Sequence, residues 1–361
     1  MKKSRIRKAD AIYRMLVDRI AVMDDGEEFP SVRRLMEEFN VSQFSMPPAL
    51  RKLQQQGVLR SVVGRGTIVY RSSISQQLRL LILTPDWPNY ASSEFDRLFA
   101  LEAARRNHLV KVVTYEFAAD VYSQLSKWQN YDAIILEPLQ IENFTPGQLN
   151  AILNSKAPIV VCRAEIPLAG VHFVAGTPMM AGVAGANYLD RMGHRRTAIL
   201  WTEPHNPTMR DLVNGFQTYA RLNELKVEIL DSQTQYGENS LDNARKTLQE
   251  YFRRNKTPAF TALFVVSDET AVAALDTIEA EGFCVPRDFS LISYGNVEIP
   301  GRYQGKLTAI GHPLDRVVRS ALNMAEALAH GEQIPDPQVK IAPEIYERYT
   351  VRPLVIPRHL S

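Results

Sequence analysis

Cysteine is nearly absent: Cys162 and Cys284 are the only two in 361 residues. Two thiols build no disulfide framework, and their apolar flanks read as buried free thiols. Seven histidines are scattered through the chain, and none has a second ligand at metal spacing. His194 therefore reads as structural, and neither a metal nor a cofactor is expected. No G-x-S-x-G, P-loop or H-E-x-x-H occurs, which removes the usual signatures of serine hydrolases, nucleotide binders and zinc peptidases. Gly64-Arg65-Gly66 lacks the third glycine and following helix of a dinucleotide loop. No uncharged run reaches transmembrane length. The basic start (Lys2, Lys3, Arg5, Arg7, Lys8) leads into no apolar segment of a signal peptide. These absences predict a soluble, cytoplasmic chain with no membrane partner and no catalytic residues.

What is present is an ordinary globular composition, 45% hydrophobic and 23% charged, on a chain long enough for two or three units. The net charge of +2 conceals an asymmetry. Residues 1–72 carry 14 Lys/Arg against 8 Asp/Glu, and the remainder 28 against 32. A basic first module on a mildly acidic body fits one nucleic-acid-binding end.

That module has its own punctuation. Ile12, Met15, Leu16 and Ile20 give residues 9–22 one apolar helical face. Ser31 can cap a helix whose stripe is Val32, Leu35, Met36 and Phe39. After the turn at Asn40-Val41, Ser42 or Ser45 caps a second helix carrying Met46, Leu50 and Leu53 and ending at Gly57. Pro47-Pro48 is tolerable only in a first turn, which favours Ser45 as the cap. Residues 59–63 and 67–70 flank Gly64-Arg65-Gly66 as a hairpin with a basic tip. Helix, turn, helix and hairpin make a winged helix-turn-helix, with a recognition helix for a major groove and a wing for the adjacent minor groove.

Pro30-Ser31-x-Arg33, Val41-Ser42, Ala49-Leu50-x-x-Leu53, Gly57 and Gly64-Arg65-Gly66-Thr67 resemble the DNA-binding domain of GntR-type bacterial transcription regulators. The resemblance implies DNA contacts from Ser31, Arg33, Ser42, Gln43, Phe44, Ser45, Arg51, Arg65, Gly66 and Thr67. Gln43, Phe44 and Pro47 stand where that family usually has arginine or another polar residue. For Arg51 and Lys52, phosphate contact and a solvated face are both open.

Residues 73–77 read as a linker, and residues 78–361 as a second domain of alternating strands and helices, hence parallel α/β. Apolar runs mark strands at 78–83, 110–115, 133–136 and 159–162. The pattern restarts after Gly176 with strands at 197–201, 227–230, 262–266 and 290–294. Two such halves predict two lobes, one of residues 78–174 and 308–330, the other of residues 175–307 and 331–361, with a ligand cleft at the strands' carboxyl ends. Asp86, Trp87 and Tyr90 follow the first strand, Arg163 the fourth, Trp201 ends the first strand of the second half, and Asp268 follows Val265-Val266. Asp268 is expected either to accept hydrogen bonds from a ligand or to cap the helix it opens.

Gly193-His194-Arg195-Arg196, Gly215-Phe216, Ser267-Asp268-Glu269, Val285-Pro286-x-Asp288-x-Ser290 through Tyr294, and Leu307-Thr308-Ala309-Ile310 resemble the effector domain of lac-repressor/galactose-repressor regulators. That domain shares its fold with periplasmic sugar-binding proteins. A GntR-type winged helix on such a body is similar to arabinose-repressor-like regulators. The resemblance adds Arg210 and Asn296 near the family's ligand-clamping positions. It implies a homodimer on double-stranded operator DNA, controlled by a small-molecule effector, a sugar or its derivative, that relieves repression. A small-molecule-binding module with altered or lost DNA binding is the alternative, motivated by Gln43 and Pro47-Pro48.

Overall fold

The computed structural model describes residues 12, 16, 19–20, 23, 26–39, 41, 46–55, 58–62, 66–69, 77–86, 90–116, 120–139 and 144–354, without the side chains of residues 37, 52 and 55. The chain divides into two units, Met1–Gln77 and Leu78–Ser361. The expected contacts Ser42, Gln43, Phe44, Ser45, Arg65 and Trp87 lie outside the described residues.

In the first unit, helix α1 (Val32–Glu38) opens beneath Ser31, whose hydroxyl accepts from the Arg34 N–H at 3.4 Å. Helix α2 (Met46–Gln55) begins late enough that Pro47 and Pro48 occupy its first turn, where neither lost N–H would have had a helical partner. Strands β1 (Leu59–Val62) and β2 (Gly66–Val69) pair antiparallel, Leu59 opposite Val69 and Val62 opposite Gly66. Leu16, Leu35, Met46, Leu53 and Val69 close a common core. Arg33, Arg51 and Arg60 are exposed outside it, and Thr67 is half-buried.

The body holds two six-stranded sheets wound in the same order. In the first, β3 (Arg79–Pro85) lies between β4 (Leu109–Tyr115) and β5 (Ala133–Leu136), followed by β6 (Ile159–Cys162), β7 (His172–Gly176) and, last, a strand from the far end of the chain, Gln338–Ile341. In the second, β8 (Arg196–Trp201) lies between β9 (Lys226–Asp231) and β10 (Ala262–Val265), followed by β11 (Ser290–Tyr294), β12 (Ala309–Gly311) and an antiparallel strand, Glu344–Tyr346. The two late strands are β13 and β14. Runs such as Leu80-Leu81-Ile82-Leu83 and Ala133-Ile134-Ile135-Leu136 are fully buried because helices cover both faces of a parallel sheet.

The lobe limits expected from sequence need correcting. Strand β12 belongs to the second sheet and β13 to the first. Three-residue β12 has too little length to announce itself, and β13 pairs with β7, far away in sequence. Between β3 and β4 runs helix α3 (Tyr90–Arg105). Cys162 is buried as expected, but Cys284 is exposed, in the turn where its N–H donates to Asp288 at 2.7 Å.

The chain thus crosses between lobes at Gly176-Thr177, at Gly311 to Pro313 and after Ile341. Thr177 touches the other two crossings: its N–H donates to His312 Nε2 at 2.8 Å and its hydroxyl to the Ile341 carbonyl at 3.4 Å. A side chain on Gly176 would put its Cβ 2.5 Å from the His312 ring.

The second lobe depends on an equally tight contact. Helices α4 (Pro178–Arg191) and α5 (Pro207–Leu222) pack backbone to backbone at Gly182 and Gly215. A Cβ on Gly182 would lie 1.9 Å from the Leu212 carbonyl oxygen, and one on Gly215 2.0 Å from that of Met179. Ala in place of Gly gains up to about 1 kcal/mol of helix propensity, while overpacking against backbone costs about 1–3 kcal/mol or more. Gly182→Ala is therefore expected to destabilise the body in urea titrations despite its better propensity. A raised denaturation midpoint would show that the helices can separate cheaply.

Candidate functional site

The carboxyl ends of both sheets carry the polar groups. On the first lobe, Asp86 is exposed and its N–H donates to the Tyr115 carbonyl at 2.8 Å. Tyr90 opens α3 with an exposed ring, and its N–H donates to the carboxylate of Glu269 on the second lobe. Glu269 thus supplies, from across the gap, the negative charge a helix N-terminus favours.

Arg163 follows β6 in the left-handed region at φ 65°. Its Nη1 reaches Ser92 Oγ at 2.6 Å and Glu137 Oε2 at 2.8 Å. Glu137 ends β5 and is 3% exposed. Burial outweighs its arginine partner and pushes its carboxyl upward. Asp96, one turn along α3 from Ser92, is pushed up to about 7, first by burial and then by the Glu137 charge. Tyr294, on the second lobe, lies within electrostatic reach of Arg163. Its hydroxyl is 3.5 Å from His312 Nδ1. Burial pushes His312 down to about 4, so the ring is neutral. Because Nε2 accepts from Thr177, the proton sits on Nδ1.

On the second lobe, Trp201 is buried and stacks on the His205 ring with centroids 4.0 Å apart. His205 Nε2 pairs with Asp231 at 3.0 Å, and Arg210 Nη1 donates to the His205 carbonyl at 2.6 Å. Trp201 and Arg210 are therefore brought together through His205. Beside them Glu203 accepts from Ser240 Oγ at 3.1 Å, and burial pushes its carboxyl up to about 7.

Asp268 and Asn296 form a separate group. Asp268 opens helix α6 (Asp268–Ala280) and is 6% exposed. It does not cap that helix. Its carboxylate accepts from the Ser293 hydroxyl and from the Val297 N–H at 2.8 Å. Gly295 is required there, because a Cβ would lie 2.2 Å from Asp268 Oδ2 and the backbone sits at φ 137°. Asn296 Oδ1 accepts from Arg348 Nη2 at 2.8 Å. Both groups shape the loop after β11.

Sequence reasoning gave no role to Glu137, Asp96, Ser92 or Glu269. Glu137 was within reach of the rule used for Asp268, a charged residue directly after a continuous apolar strand. The partners on α3 give no such local signal. Among the described residues no three His, Cys, Asp or Glu side chains are grouped to hold a metal, and no helix is long and apolar enough to cross a membrane.

Residues 8–69 match the family described as bacterial regulatory proteins of the gntR family, and residues 186–351 the periplasmic binding protein-like domain. The arabinose metabolism transcriptional repressor of Geobacillus stearothermophilus is 24% identical over 300 residues, 81% of this chain and 82% of that protein. A solved LacI transcriptional regulator from a Rhodococcus species superposes with a TM-score of 0.63 at 20% identity, covering 76% of this chain and 98% of its own. A LacI family regulator from Enterococcus faecium with bound ribose superposes with a TM-score of 0.62 at 18% identity, covering 77% and 100%.

Asp268→Ala is expected to destabilise the body. It strands the Val297 N–H and the Ser293 hydroxyl in a buried place, a loss of about 1–3 kcal/mol. The readout is the urea midpoint of the full chain, with Asp268→Asn, which keeps one acceptor, falling in between. A midpoint unchanged by the alanine would mean that the loop is held by other contacts.

Proposed function

Since residues 8–69 match the gntR family and residues 186–351 the periplasmic binding protein-like domain, we propose that the chain is a transcription regulator, a cytoplasmic repressor that is dimeric on its operator and released from it by a sugar. The observation that carries this reading is the doubly wound body. The two sheets have one order, Tyr90 beyond the end of β3 donates to Glu269 beyond the end of β10, and among the described residues the chain passes between the lobes at the crossings pinned by Thr177. Such a body closes on a ligand. Its strand ends offer Arg163, Arg210, Glu203 and Tyr294, groups suited to hydroxyls, beside aromatic surface. The relative named for arabinose metabolism and the neighbour with bound ribose point to the same class.

Dimerisation is supported by the outermost strands. Strands β4 and β9 end their sheets on the side remote from β13 and β14. They carry exposed Leu109, Val112 and Ile229, with Leu101 exposed on α3. Unpaired apolar edges of this kind call for a cover. In the first unit, exposed Arg33 at the start of α1 and Arg60 on β1 stand as phosphate contacts.

The test is a thermal-shift panel of pentoses and hexoses, arabinose and ribose included, followed by operator gel shifts. A sugar present at a hundred times its Kd is expected to stabilise the folded chain by about 2.7 kcal/mol and to weaken operator binding. A panel without any shift would remove the sugar reading. Arg33→Ala should weaken operator binding at every sequence and lower the salt slope by about one. An unchanged slope would take Arg33 off the phosphate backbone.

A further inference from the structure

Two carboxylates meet beneath Arg163 with too few donors. Asp96 Oδ1 and Glu137 Oε1 are both buried and both lack a hydrogen-bond donor among the described residues, yet the two side chains lie within hydrogen-bonding reach of each other. Glu137 Oε2 is already engaged by Arg163 at 2.8 Å. Among the described residues, the surrounding elements bring one cation, Arg163, to the pair. Strand β3 presents the Thr84 hydroxyl to Glu137, where it favours the charged carboxyl without forming a full hydrogen bond, its own oxygen being likewise without a partner among the described residues. From β4, the Tyr115 hydroxyl donates to the Glu137 backbone carbonyl at 2.7 Å. Strand β6 supplies the Cys162 thiol, which burial keeps protonated, and Arg163. On α3, Ser92 accepts from Arg163 at 2.6 Å. Tyr294 faces Arg163 from the second lobe, and burial holds it protonated.

We propose that Asp96 and Glu137 hold one proton between them, so that Glu137 alone stays ionised and anchors Arg163 in the first lobe's wall of the effector cleft. A proton on Asp96 satisfies both stranded oxygens at once, Asp96 donating to Glu137. Two adjacent carboxylates, one buried and one half-buried, that face a single guanidinium resist ionising together. Asp96 is therefore a positioning residue. It leaves Glu137 Oε2 to Arg163 and keeps the first turns of α3 against β5. As the wall of an effector cleft, the assignment rests on the function proposed above; the proton itself is tested without effector or operator.

The sign follows from linkage. Asp96 is raised from an ordinary value near 4 to about 7. Between those values the folded chain holds a proton that the unfolded chain has lost. The stability it confers is complete below pH 4 and disappears as pH rises to 7. Urea titrations of the full chain and of Asp96→Asn between pH 5 and 9 read this difference. Relative to the variant, the parent's unfolding constant should rise about tenfold per pH unit from 5 to 7 and then run parallel. The infrared carbonyl stretch of a protonated carboxyl should be present at pH 6 in the parent, lost by pH 9, and reduced in Asp96→Asn. Should that variant fail to fold, Glu137→Gln serves, since loss of the Glu137 charge lowers the Asp96 pKa and the extra slope ends at a lower pH, only burial still raising it. Arg163→Gln should move the upper end of the window to higher pH. Superimposable profiles, or no infrared component removed by either carboxyl variant, would overturn the shared proton. An unmoved window in Arg163→Gln would overturn the anchoring of Arg163.

Discussion

The hydrogen bond from the Thr177 N–H to His312 Nε2 sets what the body can do. It joins two of the three crossings at 2.8 Å, and Thr177 reaches the third through the Ile341 carbonyl. Gly176 leaves no room beside the imidazole for even a methyl group. Sliding one lobe past the other at this knot would break both hydrogen bonds and drive Gly176 into the imidazole. Burial makes the bond dependable. A charged imidazolium has no lone pair to accept the Thr177 N–H, and desolvation keeps His312 neutral down to about pH 4. The hinge therefore holds one protonation state throughout the physiological range.

Around that hinge the strand ends concentrate buried carboxylates, each with specific donors. Desolvation raises Glu137, Glu203, Asp268 and Glu269 alike. Burying such groups is unfavourable unless donors are placed for them. Arg163 serves Glu137, Ser240 serves Glu203, and Ser293 with the Val297 N–H serves Asp268. Glu269 differs, because its donor, the Tyr90 N–H, belongs to the other lobe. It links the lobes at the mouth of the gap instead of at the crossings, so opening the gap exposes an uncapped helix end and a carboxylate together.

Much of this architecture is legible in the chain. Continuous apolar runs such as Leu80 to Leu83 and Ala262 to Val265 are the buried parallel strands they announce, since only a sheet covered on both faces tolerates them. Pro47-Pro48 places the start of α2 because proline fits a helix only at its beginning. What was not legible depends on long-range pairing. Ala309-Ile310-Gly311 becomes a strand only between β11 and β14, and Gln338 to Ile341 only beside β7. The site behaves likewise. Positions after strands pointed to Arg163 and Trp201, but the partners that decide their chemistry, Asp96, Glu137 and His205, lie on other elements or in a loop without pattern. Asp268 shows the limit most plainly. Its place after a strand is equally compatible with ligand, cap or loop anchor, and only the positions of Ser293 and Val297 distinguish them.

The hinge also constrains how an effector can act. A ligand shifts an equilibrium between open and closed lobes only by the difference in its affinity for the two. One held by a single lobe, however tightly, shifts nothing. Moving such a body from one part in a hundred closed to one part in a hundred open takes about 5.5 kcal/mol of differential binding. Hydrogen bonds to charged groups contribute about 1.5–3 kcal/mol each, so two to four contacts made only on closure are enough. Arg163 on the first lobe, with Glu203 and Arg210 on the second, can provide that number. On the function proposed above, the effector must reach both lobes at once, which calls for a small molecule with donors and acceptors on opposite edges. A polyhydroxylated ring meets that requirement. A purely apolar ligand would make none of these contacts on closure.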